Sequence, residues 1–264
     1  MLHKQDLLKH MKQPEEKLLF AKALDQADFC LQKHKATFSD FMDLSKCIRL
    51  QEIVCRIPEL SFQIYGCLDD AERKLFGFAP DYMEMTKEMF PIKVLKIGIA
   101  PKFAQKDLSH RDYLGSILGL GIDRSKIGDI VLTENGAICI AKEDIAEYIS
   151  SQLVKVSRTP VKVEILSELP ENIVSKKNVQ DRFTVSSLRI DVILSTVFHI
   201  SRAKVQDLIR GEKASRNWSV VSSVSVTVEE GDVLSLRGYG RIRLEEIQGK
   251  TKKDRISILV GKYV

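Results

Sequence analysis

The 264-residue chain lacks most of the features that announce chemistry. Its five cysteines, Cys30, Cys47, Cys55, Cys67 and Cys139, form no C-x-x-C pair, so neither a zinc ribbon nor a thioredoxin-type redox motif is signalled. Each lies among apolar neighbours, the usual setting of a buried reduced thiol. The five histidines (His3, His10, His34, His110, His199) show no ligand spacing, and no D-x-D-x-D-G run exists to hold a cation. No run of about 18 apolar residues is present, so no membrane-spanning helix is expected. Met1-Leu2-His3-Lys4-Gln5-Asp6 has no apolar h-region of a secretory signal, which makes a cytoplasmic location the expectation. Internal repeats and low-complexity tracts are also missing, and nothing calls for a metal or a cofactor.

What is present is an ordinary globular composition, 44% hydrophobic and 29% charged, at a length that suggests two or three domains. The net charge of +5 is unevenly placed. Residues 183–264 hold 14 Lys and Arg against nine Asp and Glu, whereas residues 1–182 balance 27 against 27. The excess therefore belongs to the C-terminal third, and it suits a polyanionic partner as well as it suits a merely solvated surface.

In chain order, residues 1–12 read as a short helix, and Pro14-Glu15-Glu16 opens a longer one reaching about Lys35. Ser61 to Tyr65 alternates like a strand. Gly66 to Pro80 reads as a loop whose charged part, Asp69 to Lys74, is either a binding element or a solvated turn. The middle segment predicts a strand over Leu95 to Ile99 and a helix capped by Ser109 with Asp112 at its third position. It then predicts a hairpin over Ile127–Glu134 and Ala137–Ala141 around a type I′ Asn135-Gly136 turn. A helix over Glu143 to Leu153 and a strand over Val161 to Ile165 complete a β-α-β-β-α-β order, which implies a ferredoxin-like, RRM-like sheet. The strands carry none of the exposed aromatics that stack bases in RNA-recognition motifs. Leu169 to Arg182 is polar and aperiodic and reads as a linker.

The C-terminal stretch is the most specific. A first helix over Ser186 to Leu194 has Ser186 or Ser187 as its cap. A second over Ile200 to Lys213 starts at Ser201 and stops at Gly211. In the second, Val205, Leu208 and Ile209 share one face, and Arg202, Gln206 and Arg210 share an adjoining one. Short strands are expected over Lys213–Asn217, Val224–Val228 and Asp232–Leu236, with a turn at Glu229 to Asp232. Arg241 and Arg243 alternate with Ile242 and Leu244, which places both arginines on one face of a strand.

Arg189-Ile190-Asp191 with Leu194, Ser201-Arg202, Ile209, Gly211, Lys213 and Gly231-Asp232 resemble the pattern of the S-four RNA-binding domain. Ala214 and Arg216-Asn217-Trp218 depart from that pattern. Further blocks, His110-Arg111-Asp112-Tyr113-Leu114-Gly115, Leu118-Gly119-Leu120-Gly121-Ile122, Lys126-Ile127-Gly128-Asp129-Ile130 and Gly77-Phe78-Ala79-Pro80, make almost the whole chain similar to the YlmH family. The fold class expected is α+β: an α-rich N-terminal domain (1–82), a central ferredoxin-like domain (83–168) and a C-terminal S-four domain (183–264).

The resemblance implies a non-enzymatic RNA-binding protein that contacts ribosomal RNA of the large subunit, in quality control of subunits obstructed by peptidyl-tRNA; a monomer is the separate expectation. It also implies tRNA as a partner and a genetic link to cell division. RNA contacts are expected from Arg189, Ser201, Arg202, Lys204, Arg210, Lys213, Arg216, Arg241 and Arg243, largely to phosphates. Arg189 and Asp191 can equally form a structural ion pair. His110, Arg111, Asp112, Asp123, Arg124 and Lys126 form either a second functional surface or a set of caps and turns.

Two other readings stand beside this one. S-four domains also accompany pseudouridine synthases and methyltransferases, but the nearest string to a synthase nucleophile, Leu188-Arg189-Ile190-Asp191, lies inside the module itself. Gly119-Leu120-Gly121 follows a helix, and Gly238-Tyr239-Gly240 joins strands; neither sits between a strand and a helix as a methyltransferase requires. The third reading is a protein–protein adaptor for division proteins.

Overall fold

The computed structural model describes residues 4–9, 11, 14–68, 70–100, 108–170, 178–251 and 254–263. The chain is a mixed α+β protein with three antiparallel sheets. It divides into two compact units, Met1–Ile173 and Val174–Val264.

Unit 1 opens with α1 (Lys4–Leu7) and α2 (Pro14–Lys33). Pro14 sits where its missing N–H costs no hydrogen bond, and Glu15 and Glu16 face the positive end of the helix dipole. Phe20, Ala23, Leu24, Ala27 and Cys30 form its buried stripe. Helix α3 (Leu44–Val54) is capped by Asp43, whose Oδ1 accepts from the Lys46 amide at 3.0 Å. It buries Cys47, Leu50 and Val54. Both helices pack on a sheet of β1 (Thr37–Phe38), β2 (Met42–Asp43), β3 (Leu60–Tyr65) and β4 (Arg73–Pro80).

Strand β4 pairs with the other three, which corrects the loop expected over Gly66 to Pro80. Leu75 to Pro80 are all buried. A strand covered on both faces has no polar alternation, so period-two reasoning passes over it.

The second sheet runs through β5 (Ile92–Ile99), α4 (His110–Leu118), β6 (Ile127–Thr133), β7 (Gly136–Lys142), α5 (Glu143–Gln152), β8 (Lys155–Val156) and β9 (Thr159–Leu166). Its strand order is β6-β7-β5-β9-β8. Leu95, Ile97 and Cys139 pack against Tyr113 and Ile117 of α4 and Ala146 and Ile149 of α5. Burial pushes the Cys139 thiol up to about 12, so it is a core side chain and no nucleophile. The opposite face meets the first sheet through Val94, Ile138 and Ile140 against Phe41, Leu75 and Phe90.

The type I′ expectation at Asn135-Gly136 is corrected. Thr133 pairs with Gly136, so Glu134 and Asn135 form the turn, and neither has positive φ. Gly136 serves another need: a Cβ there would stand 1.9 Å from the Ile97 carbonyl oxygen.

Unit 2 contains β10 (Asn178–Val185), α6 (Ile190–Val197), α7 (Arg202–Arg210), β11 (Ala214–Arg216), β12 (Ser219–Val221), β13 (Val233–Leu236), β14 (Gly240–Lys250) and β15 (Ile256–Tyr263). The sheet order is β10-β15-β14-β13-β11-β12. Ile190, Ile193, Leu194 and Val197 of α6 and Val205 and Ile209 of α7 join Leu234, Leu236, Ile242, Leu244, Ile258 and Val260 in one core.

Three expectations change here. The supposed linker ends in β10, which pairs with β15 along its whole length; residues 171–177 lie outside the described residues. Helix α6 starts at Ile190, not Ser186, and neither Ser186 nor Ser187 caps it. The backbone before it is held extended by Val228 N–H to Leu188 O (2.8 Å) and Ile190 N–H to Val226 O (2.9 Å). Val224–Val228 is therefore not a strand; it contributes one bridge, Arg189 to Thr227. The β11–β12 hairpin turns through Asn217 (φ 47°) and Trp218 (φ 64°), the two positive φ values of a type I′ turn.

Candidate nucleic-acid interface

The first layer of the interface is organised by a carboxylate. Asp191, in the first turn of α6, is fully buried. Its Oδ1 accepts from Arg189 Nε at 3.1 Å, and its Oδ2 accepts from Arg202 Nε at 2.8 Å and Gln206 Nε2 at 2.8 Å. Arg189 Nη2 adds bonds to Asp191 Oδ2 (3.3 Å) and to the Val224 carbonyl (3.4 Å). Burial alone would raise the Asp191 carboxyl, but the bonds from Gln206, Arg202 and Arg189 outweigh it and hold the group below the usual carboxylate range. Helices α6 and α7 are thus bolted together by a charged centre. The Arg202 guanidinium is 49% exposed and spends only Nε on it, leaving both terminal nitrogens to donate outward.

The remaining expected residues separate into two groups. Arg216 is tied inward: Nε lies 2.6 Å from Asp232 Oδ2, Nη1 donates to Thr227 O at 2.9 Å, and Nη2 stands 3.6 Å from Glu229. Arg243 lies 3.6 Å from Glu245. Arg241 donates to Ser235 Oγ across the β13–β14 pairing at 3.0 Å. Ile242 and Leu244 are buried, so the alternation read along this strand is the observed one. Arg241 and Arg243 therefore lie on the sheet face opposite the α6–α7 layer, and they do not continue the cation row of α7.

On α7, Ser201 caps the helix by accepting from the Lys204 amide at 3.3 Å. Arg210 is 63% exposed and, among the described residues, makes only a loose pair with Asp207 (3.5 Å) on the same helix. The Lys204 ammonium stands 5.6 Å from the centre of the Tyr239 ring. Lys213 is exposed, and among the described residues no carboxylate pairs with it.

In the second candidate surface, Asp112, Asp123, Arg124 and Lys126 make caps and bridges within the fold. The Asp112 carboxylate accepts from the Ser109 amide (2.8 Å) and hydroxyl (2.6 Å). Asp123 caps a short turn through the Ser125 amide (2.7 Å), and Lys126 bridges Asp40 (3.0 Å) and Asp144 (3.2 Å). Arg124 donates to the Ile127 and Gly128 carbonyls. Within the charged stretch once open as a binding element, Arg73 donates to Ile127 O (2.9 Å), Phe41 O (3.0 Å) and Arg124 O (3.2 Å). Burial, with Arg124 nearby, lowers this guanidinium to about 10. The Glu72 amide donates to Asp129 at 2.6 Å. Among the described residues no group of three or more His, Cys, Asp or Glu is placed to hold a metal, and no helix is long and apolar enough to cross a membrane.

Comparison with known proteins adds three findings. Residues 86–168 match the family model described as "Putative RNA-binding domain in YlmH". Over 251 residues the chain is 32% identical to "Ribosome-associated protein quality control protein P2" of Bacillus subtilis (strain 168), covering 95% of this chain and 96% of that protein. It also resembles a solved structure, "Cell division protein ylmH from Streptococcus pneumoniae", at 21% identity and a TM-score of 0.49, over 60% of this chain and 94% of that one.

Proposed function

The chain belongs to the YlmH family, and from that premise we propose that it is a non-enzymatic, cytoplasmic RNA-binding protein of the large ribosomal subunit. Its task is quality control of subunits obstructed by peptidyl-tRNA, with ribosomal RNA and tRNA as partners. The relative's name, which ties that protein to ribosome-associated quality control, supports the setting.

The observation that carries the reading is α7. One side of this helix buries Val205 and Ile209, while Arg202, Lys204 and Arg210 stand exposed on a frame fixed by Asp191. A set of exposed cations on a fixed helix suits the backbone of folded RNA, which is recognised by shape and phosphate position. The buried, triply engaged Asp191 supports binding over chemistry, because a carboxylate held this way is not free to attack a base.

We read unit 1 as two parts, an N-terminal domain (1–82) and a ferredoxin-like domain (83–168), and unit 2 as an S-four domain (183–264). The β-α-β-β-α-β succession and the order β6-β7-β5-β9 support the middle assignment. Its strands contain no aromatic residue, so RNA held there is gripped by its backbone and not by base stacking.

The test is co-sedimentation with purified large subunits. Lys204→Glu with Arg210→Glu should abolish it while circular dichroism stays unchanged; undiminished binding would overturn the reading. Arg202 is left in place, because a glutamate there would face the buried Asp191 carboxylate.

A further inference from the structure

The turn between β13 and β14 was not among the expected contacts, yet three cations from separate segments meet there. Arg237 opens the turn, is exposed, and has no ion pair among the described residues. Its amide donates to the Lys213 carbonyl at 2.9 Å, which sets it beside the equally unpaired Lys213. Lys204 reaches the same turn from α7 by lying over Tyr239, and Tyr239 is steadied by Phe198 at 6.1 Å between ring centres. Leu236 pairs with Gly240, so the loop has three residues. Gly238 (φ 90°) and Gly240 (φ 125°) adopt conformations that side-chain-bearing residues avoid. The loop is therefore a specified shape.

We infer that Arg237, Lys213 and Lys204 form a phosphate-binding site built on the β13–β14 turn, with backbone phosphates of folded RNA as its ligand. This rests on the RNA-binding function proposed above and names a contact within it. A phosphate reaching Arg216 must displace a carboxylate that is already bonded. A phosphate reaching Arg237 or Lys213 displaces only water and counterions. Glu212, exposed and held at φ 55° between Gly211 and Lys213, is the opposing charge on the connection, so three cations stand against one carboxylate. Two lysines and a single arginine without a fixed carboxylate-like fork partner present charge and not a base-reading pattern. The site selects backbone, not sequence.

The experiment measures binding of the full chain to purified large ribosomal subunits at stepped KCl concentrations. Arg237→Gln and Lys213→Gln should each weaken binding about fivefold near 0.1 M salt and lower the salt slope by about one. Lys250→Gln, which removes an exposed lysine paired with Asp254, should do neither. Thermal melts should be unchanged for all three, since both turn side chains are exposed. If wild type binds and both turn variants match it in affinity and slope, the site is overturned while the RNA-binding function stands. If wild type itself fails to bind, the function falls and the site with it.

Discussion

Strand β13 is four residues long, yet the turns at its two ends treat arginine in opposite ways. Before it, Glu229 and Asp232 flank Arg216; Asp232 also accepts from Asn217 Nδ2 (2.6 Å) and from the Glu229 amide (2.7 Å). There the guanidinium is a structural part. After it, Arg237 stands in solvent beside Lys213, with Lys204 held over Tyr239. The same residue type is a clamp at one end and an open donor at the other. The difference lies in the carboxylates within reach, so a count of basic residues does not by itself locate a binding face.

The comparison can be broken at its acidic end first. Asp232→Ala removes a buried carboxylate that accepts two hydrogen bonds and pairs with Arg216, and should cost about 3 kcal/mol in urea denaturation. RNA affinity, measured where the variant is folded, should stay within twofold; a large affinity loss would erase the distinction between the two ends. Asp191→Asn should follow with a smaller loss at neutral pH and a distinct pH signature. The folded-state pKa of Asp191 is depressed, so its stabilisation is present above the ordinary carboxylate range near pH 4 and is lost as pH falls through the folded value. Wild type should therefore lose more urea resistance between pH 6 and pH 3 than the asparagine variant; equal losses would count against the charged centre. The smallest effect sharpens the basic end. Glu212→Gln removes the one carboxylate on the Gly211–Lys213 connection and should tighten RNA binding about twofold at low salt, with the gain vanishing as ionic strength rises.

The elements best read from sequence are those with one solvent face. Helix α7 shows its apolar stripe and its serine cap, β14 shows Arg241 and Arg243 alternating with buried Ile242 and Leu244, and α2 announces itself by proline and acids. Strand β4 hid because both its faces are covered, and β10 because its polar residues satisfy a ladder with β15 that lies more than 70 residues away. The candidate site was legible as a list of cations but not as an arrangement. Helical spacing places Arg202 and Gln206 together, and it cannot see that both bend toward Asp191 of the preceding helix. Arg237 escaped because a lone arginine in a glycine-rich turn has no periodicity; its significance comes from the Lys213 carbonyl it bonds.

Trp218, at the left-handed tip of the β11–β12 hairpin, is the sole tryptophan of the chain, while all five cysteines lie in Met1–Ile173. The two units thus carry separate optical and chemical labels supplied by nature. Indole emission follows melting of the C-terminal sheet alone, and alkylation of the buried Cys30, Cys47 and Cys139, after the exposed Cys55 has reacted, clocks the opening of the N-terminal unit, so whether they unravel together or in sequence can be timed on unmodified protein.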